Sequence, residues 1–308
     1  MFGFLHGLQD PLGAILQLLT GVVGHFVGTA RTDLNGELTR YLFSTVDPAS
    51  GGPLTANRAV THINSALALA ADVLVGAVVL FTSLRSMLEH STRAKYTLKV
   101  VLPRVLVAVA LAHGSLFFAQ MAIDLNNALG HVALSLGDGL TTNNLPWSGS
   151  MSPIAVHAMQ ASQDVFQSIF ALAVVVALVL LVLAYVVRTA LLEVLIVTAP
   201  LAALCMVLPD TRIYARHWMR LFLTTVFMQA LQLIVLRVAT ASGFGAGNGV
   251  ASTLYGLATL WIMLKVPGAL HSASELESKA HTAARHVERS VRTMLVPAHH
   301  AITHRAAP

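Results

Sequence analysis

One cysteine, Cys205, stands in 308 residues, and Asp, Glu, Lys and Arg together make up only 11%. A lone thiol excludes an internal disulfide framework and a cysteine-based zinc site. A soluble domain would carry roughly 25% charged residues, so the chain does not belong to that class. No Lys or Arg occurs between Arg104 and Arg188. No nucleophile-elbow pattern is present. The glycine run GFGAGNG follows no strand and opens onto an apolar helix, so it reads as a turn and not as a phosphate cradle. His300 and His304 have the i, i+4 spacing of a metal pair, but no third ligand lies nearby. No cofactor, metal or catalytic residue is expected, and the chain does not read as an enzyme. The N-terminal MFGFLHGLQDPLG lacks the basic start of a signal peptide and is expected to be retained.

What is present is apolar length. Hydrophobic residues make up 56% of the chain, and Phe166 to Val187 is almost pure Ala, Val and Leu. At 1.5 Å per helical residue that run crosses a hydrocarbon core of roughly 30 Å. Five spans are predicted: about Ala59 to Leu84, Val100 to Asp124, Val165 to Val187, Trp218 to Ala241 and Val250 to Pro267. A further apolar stretch, Thr189 to Leu208, carries Glu193 and is interrupted by Pro200 and Pro209.

Charge decides how that stretch is used. Arg85, Arg93, Lys95 and Lys99 follow the first span, Arg188, Arg212, Arg216 and Arg220 flank the ambiguous stretch, and the tail is basic. The net charge of +5 resides in these clusters, which set topology. The segments from Leu125 to Asp164 and Ser242 to Gly249 have no Lys or Arg. Every basic cluster falls on one side only if Thr189 to Leu208 does not cross by itself. The prediction is five crossings, N-terminus outside and C-terminus cytoplasmic. Thr189 to Leu208 is expected to be a Pro-broken re-entrant hairpin covered by the other helices.

The fold class expected is therefore all-α, a polytopic membrane helix bundle with amphipathic ends. Residues 1–58 form an extracytoplasmic segment, 59–267 the bundle and 268–308 a basic cytoplasmic tail. In the first segment Leu5, Leu8, Leu12, Ile15, Leu19, Val22 and Phe26 make one apolar stripe; Leu12 to Val27 is short but apolar, and a sixth span there stays open. In the tail, Lys279, Arg285, Arg289 and Arg292 accompany a weak stripe made largely of Ala, a pattern suited to anionic lipid or a partner.

Polar residues inside the spans are the candidate site. Asp72 sits mid-span, where a charged Asp costs about 2.5–3.5 kcal/mol. His113 lies at similar depth on the second span, and a hydrogen bond to Asp72 would offset part of that cost. His113, Gln120, Asp124 and Asn127 are spaced seven, four and three, so on one continuous helix they share a face. Gln229 and Gln232 do likewise on the fourth span. These groups either line a translocation path or hydrogen-bond helices together. Small residues such as Gly76 and Gly114 would allow close helix approach between copies in a homo-oligomer.

From Arg188 onward the chain reads RTALLEVLIVTAPLAALCMVLPDTRIYARHWMRLFLTTVFMQALQ. A basic residue follows a long span, an apolar stretch ends in Ala-Pro-Leu-Ala, a Pro-Asp-Thr turn follows, and a Trp opens a helix with Gln eleven residues on. This block resembles the TrbL-type polytopic inner-membrane subunit of conjugation and type IV secretion machines. The blocks LFSTVDP and VLPRVLVAVALAHGSLFFAQMAIDLNNAL are similar to the same family, so the likeness covers most of residues 40 to 240. It implies a channel or scaffold subunit, assembled as a ring, that helps pass single-stranded DNA, protein or pilin across the inner membrane. Implied partners are other copies of the chain, pilin or stalk proteins, a cytoplasmic ATPase and anionic lipids. Carried onto this sequence, Arg188, Pro200, Pro209 and Trp218 are structural signature positions. The competing reading is a secondary transporter in which Asp72, His113 and Asp124 relay protons.

Overall fold

The computed structural model describes residues 11–47, 50–88, 92–136, 145–148, 165–206, 211–242, 250–270 and 272. The described residues are helical almost throughout and contain no strand. Among the described residues seven helices follow in chain order: α1 (Pro11–Phe43), α2 (Arg58–Leu88), α3 (Thr92–His113), α4 (Ser115–Ser135), α5 (Val165–Leu204), α6 (Arg212–Ala241) and α7 (Val250–Leu270). A short 3-10 turn, Leu54–Ala56, precedes α2. Residues up to Val266 form one compact unit, and a second begins at Pro267.

Among the described residues, four helical stretches are long and apolar enough to cross a membrane: Arg58–Phe81, Phe166–Leu204, Arg212–Ala241 and Val250–Leu270. The pair Pro103–His113 and Ser115–Ser135 makes a fifth, bent by 63°. The expected second span, Val100 to Asp124, is therefore not one straight helix. The break falls at Gly114, where a side chain would be crowded. Gly114 has φ −81°, open to any residue. A Cβ there would meet the Ala110 carbonyl oxygen at 3.0 Å and the Phe118 ring at 3.1 Å. A side chain there would need the ring or the carbonyl to give by a few tenths of an ångström.

The expectation of a re-entrant hairpin over Thr189 to Leu208 needs correction. No break occurs at residue 188; α5 runs unbroken for 40 residues to Leu204, with Pro200 inside it. That is roughly 60 Å of helix, about twice the hydrocarbon thickness. The charge argument is unharmed, because a continued helix does not add a crossing.

Pro200 is tolerated for an identifiable reason. It has no N–H to give the carbonyl of Ile196, one turn earlier. That carbonyl instead accepts a hydrogen bond from Asn64 Nδ2 of α2 at 2.9 Å, and Asn64 is buried. A second helix supplies the missing donor, as membrane interiors require.

Helix α5 is the central strut; α1, α2, α3, α4 and α6 all contact it. Its N-terminal half packs with Leu38 and Leu42 of α1, Leu233 of α6 and Leu260 of α7. Its C-terminal half packs with Leu54, Val60 of α2, Ile123 of α4 and Phe222 of α6. Buried positions on α1 include Thr20, Gly24, Val27, Leu38 and Leu42. The stripe that the sequence singles out there faces outward: Ile15, Val22 and Phe26 are exposed. The segment around Trp147 is held against α7 at Gly256, where a Cβ would sit 2.8 Å from the Pro146 carbonyl oxygen; the Trp147 side chain is fully buried.

Candidate functional site

The polar residues separate into two sets, one internal and one on the surface of the chain. The internal set centres on Arg188, midway along α5 and 3% exposed. Its Nε donates to the Thr225 carbonyl at 2.9 Å, and one Nη2 to the Val226 carbonyl at 3.0 Å and the Thr45 hydroxyl at 3.1 Å. No carboxylate faces Arg188 among the described residues. Carbonyl dipoles of α6 stabilise the charge, which buried without partners would cost several kcal/mol.

The Thr45 hydroxyl passes the contact on by donating to Gln229 Oε1. The same oxygen accepts from Asn126 Nδ2 of α4 at 3.0 Å. Gln229 Nε2 donates to the Leu42 carbonyl at 2.6 Å, one of the last-turn carbonyls that α1 leaves unpaired. Asn127 brackets Thr45 from the other side: its Oδ1 accepts from the Thr45 N–H at 2.9 Å, and its Nδ2 faces the Thr45 carbonyl at 3.4 Å. One network thus joins α1, the connector after it, α4, α5 and α6. Thr45, Asn126, Arg188 and Gln229 are all buried.

Other predicted positions join neighbouring helices. Gln232 Nε2 donates to the Met263 carbonyl of α7 at 2.9 Å. Trp218 Nε1 donates to Thr198 Oγ1 of α5 at 3.1 Å, and its ring stacks on Phe222 at 5.3 Å. Pro200 lies inside α5 as described. Two buried polar atoms, Tyr185 Oη and Gln232 Oε1, have no hydrogen-bond partner among the described residues.

The surface set contains Asp72 and His113. Asp72 Oδ2 lies 3.2 Å from His113 Nε2, with the two side chains 39% and 58% exposed. They stand among outward apolar side chains: Leu69 and Val73 of α2 are also exposed. Gln120 Nε2 donates to Asp124 Oδ1 at 2.7 Å, and Thr55 donates to Gln120 Oε1 at 2.6 Å. Asp124 is exposed. The four-residue face expected from His113 to Asn127 does not exist as such. The bend at Gly114 puts His113 on a different helix axis, and Asn127 turns inward to Thr45.

Side chains of these networks that were not singled out from the sequence include Thr45, Thr55, Asn64, Asn126 and Thr198. Only Asn64 had a readable signal, since Pro200 orphans the carbonyl at 196. Pro209 and the tail residues Lys279, Arg285, Arg289 and Arg292 lie outside the described residues, as do His300 and His304. No group of three or more metal-ligating side chains occurs among the described residues.

A buried network that ties one long helix to its neighbours, in a chain of apolar spans, is the frame of a membrane subunit. The family model described as conjugal transfer protein TrbL matches residues 100–298, nearly two thirds of the chain. The chain belongs to the TrbL family. No curated protein and no solved structure shows significant similarity to it. Membership makes this TrbL-family chain a component of the multi-subunit machinery of conjugal transfer and type IV secretion. TrbL is a structural subunit of that machinery, and the apolar helices embed it in a membrane.

Proposed function

We propose that the chain is an inner-membrane channel or scaffold subunit that assembles with copies of itself and helps move DNA, protein or pilin across the membrane. The observation that carries this reading is the surface position of Asp72 and His113. Ionisable groups at membrane depth face a protein interior or a wet cavity. Here a single chain leaves such a pair on its outside, among side chains suited to lipid. A second copy, or a polar lumen between copies, supplies the missing surroundings. Gly76, near Asp72 on α2, has open space where a Cβ would point, so a neighbouring helix can come close there. The outward stripe of α1 offers a second contact. A head-to-tail interface of this kind closes into a ring when its rotation permits.

The orientation that fits is N-terminus outside and C-terminus cytoplasmic, with five crossings. This reading counts α5 as a single crossing, and the positive-inside rule then assigns Arg212, Arg216, Arg220 and the basic tail to the cytoplasm. Pilin or stalk proteins, a cytoplasmic ATPase, anionic lipids at the tail and single-stranded DNA in transit are the partners this role calls for.

Mass measurement of the assembly released into nanodiscs directly from native membranes tests the reading. A discrete homo-oligomer is expected, and a monomer released while the rest of the machine stays intact overturns it. Cysteine labelling in a Cys205→Ser background tests orientation. Ser150→Cys should react from outside and Thr211→Cys only after permeabilisation; the reverse pattern removes the assignment.

A further inference from the structure

We propose that the groove between the α3–α4 elbow, the end of α5 and the start of α6 is a binding site for one anionic phospholipid. Its acyl chain lies in the groove and its phosphate on Arg216. This site is separate from the tail and does not depend on the transfer reading.

The groove encloses about 360 Å³. Its lining is apolar except for Ser115 and Arg216: alanines such as Ala119, Ala199 and Ala202 leave the space, and Phe118 and Phe222 wall it. Small side chains on α4 and α5 leave the gap unfilled, beside the bend between α3 and α4. An apolar slot of this size in a close-packed bundle loses contacts unless something fills it.

Charge identifies the occupant. Among the described residues, Arg216 is the one charged side chain in the lining. It lies one helical turn from Arg212, and both are exposed and meet no carboxylate among the described residues. A cation at the mouth of an apolar slot matches an amphiphile with an anionic head and a hydrocarbon tail. A planar guanidinium suits a phosphate in particular, because it donates two parallel hydrogen bonds. Trp218 also lines the groove, with its N–H turned away to Thr198. Its ring is therefore presented as an apolar wall, and it reports on whatever lies beside it. A polypeptide segment would need donors and acceptors for its own backbone, and the slot offers almost none.

The test uses the full chain reconstituted in phosphatidylcholine vesicles containing either phosphatidylglycerol or phosphatidylcholine brominated on the acyl chain. Quenching of Trp218 is isolated by comparison with Trp218→Phe. At equal mole fraction the brominated phosphatidylglycerol should quench Trp218 more strongly than the brominated phosphatidylcholine. Arg216→Gln should weaken that preference about fivefold, the effect of one basic residue near an anionic surface. Ala202→Leu, which fills a half-buried part of the slot, should remove quenching by both lipids while Arg216 remains. Arg216→Gln lies on the surface and will fold, so the preference can be read whatever Ala202→Leu does. Equal quenching by both lipids, or a preference that survives Arg216→Gln, overturns the proposal. So does quenching unaffected by Ala202→Leu in a variant of unchanged helicity. If neither lipid quenches yet Ala202→Leu stops transfer, the slot holds a protein partner and the lipid site is refuted.

Discussion

Arg188 and Asp72 are both ionisable side chains on long apolar helices, yet the chain treats them differently. Arg188 is enclosed, and each hydrogen bond it makes ends on a group of the same chain. Asp72 has one partner, His113, and both remain substantially exposed. The first region is complete in a single copy. On the proposed reading, the second is completed by something outside the copy. That reading makes the first region frame and the second working surface. Buried polar groups must be satisfied wherever they are, whereas exposed ones survive at depth only if an assembly surrounds them. Damage to the Arg188 network should appear as lost stability, and damage to the Asp72 pair as lost transfer.

Gln229→Leu should have the largest effect on stability. It strands the Leu42 carbonyl, the Asn126 amide and the Thr45 hydroxyl together. Interhelical hydrogen bonds in membranes average about 0.6 kcal/mol each, with stranded buried groups adding more. A loss of about 2–3 kcal/mol in detergent unfolding is expected, with α1 released first. Unfolding within about 0.5 kcal/mol of the unmodified chain would erase the distinction between the two regions.

Next comes Asn64→Leu, at about 1–2 kcal/mol, because the carbonyl that Pro200 leaves open loses its donor. A double-mutant cycle sharpens the point. In a Pro200→Ala background the helix provides its own N–H to Ile196, so the cost of Asn64→Leu should fall by about half or more. Equal costs in both backgrounds would mean that Asn64 does not compensate for Pro200. Trp218→Phe should cost the least, about 0.5–1 kcal/mol. The stack on Phe222 is retained, and only the hydrogen bond to Thr198 is lost. Thermal unfolding in mild detergent reads it.

The same contrast explains what could be read from the sequence. Helix content and span positions were legible because lipid demands long apolar runs. The Asp72–His113 pair was legible because a charge at depth calls for a partner at matching depth. The continuity of α5 was not, since Pro200 looks like a break until Asn64 is seen to replace the missing donor. The elbow at Gly114 was hidden for a related reason. A glycine inside an apolar run carries no period, so His113 and Gln120 were counted along one helix. The Arg188 network was the least legible. Its members Thr45 and Asn126 come from a connector and a distant helix, and only tertiary packing brings them to Gln229. Asn127, read as part of a polar face, belongs to that network instead.

The most direct test of the account is one paired measurement on Asp72→Leu: the amount of folded protein extracted from native membranes, and the frequency of conjugal transfer from the same cells. Removing the charge eases insertion by about 2.5–3.5 kcal/mol, so the folded amount should be unchanged or higher. Transfer should nevertheless fall by about tenfold or more, the effect of a loss near 1.4 kcal/mol at a working surface. Undiminished transfer at an undiminished folded amount would contradict the account, because Asp72 would then face nothing that the machine uses.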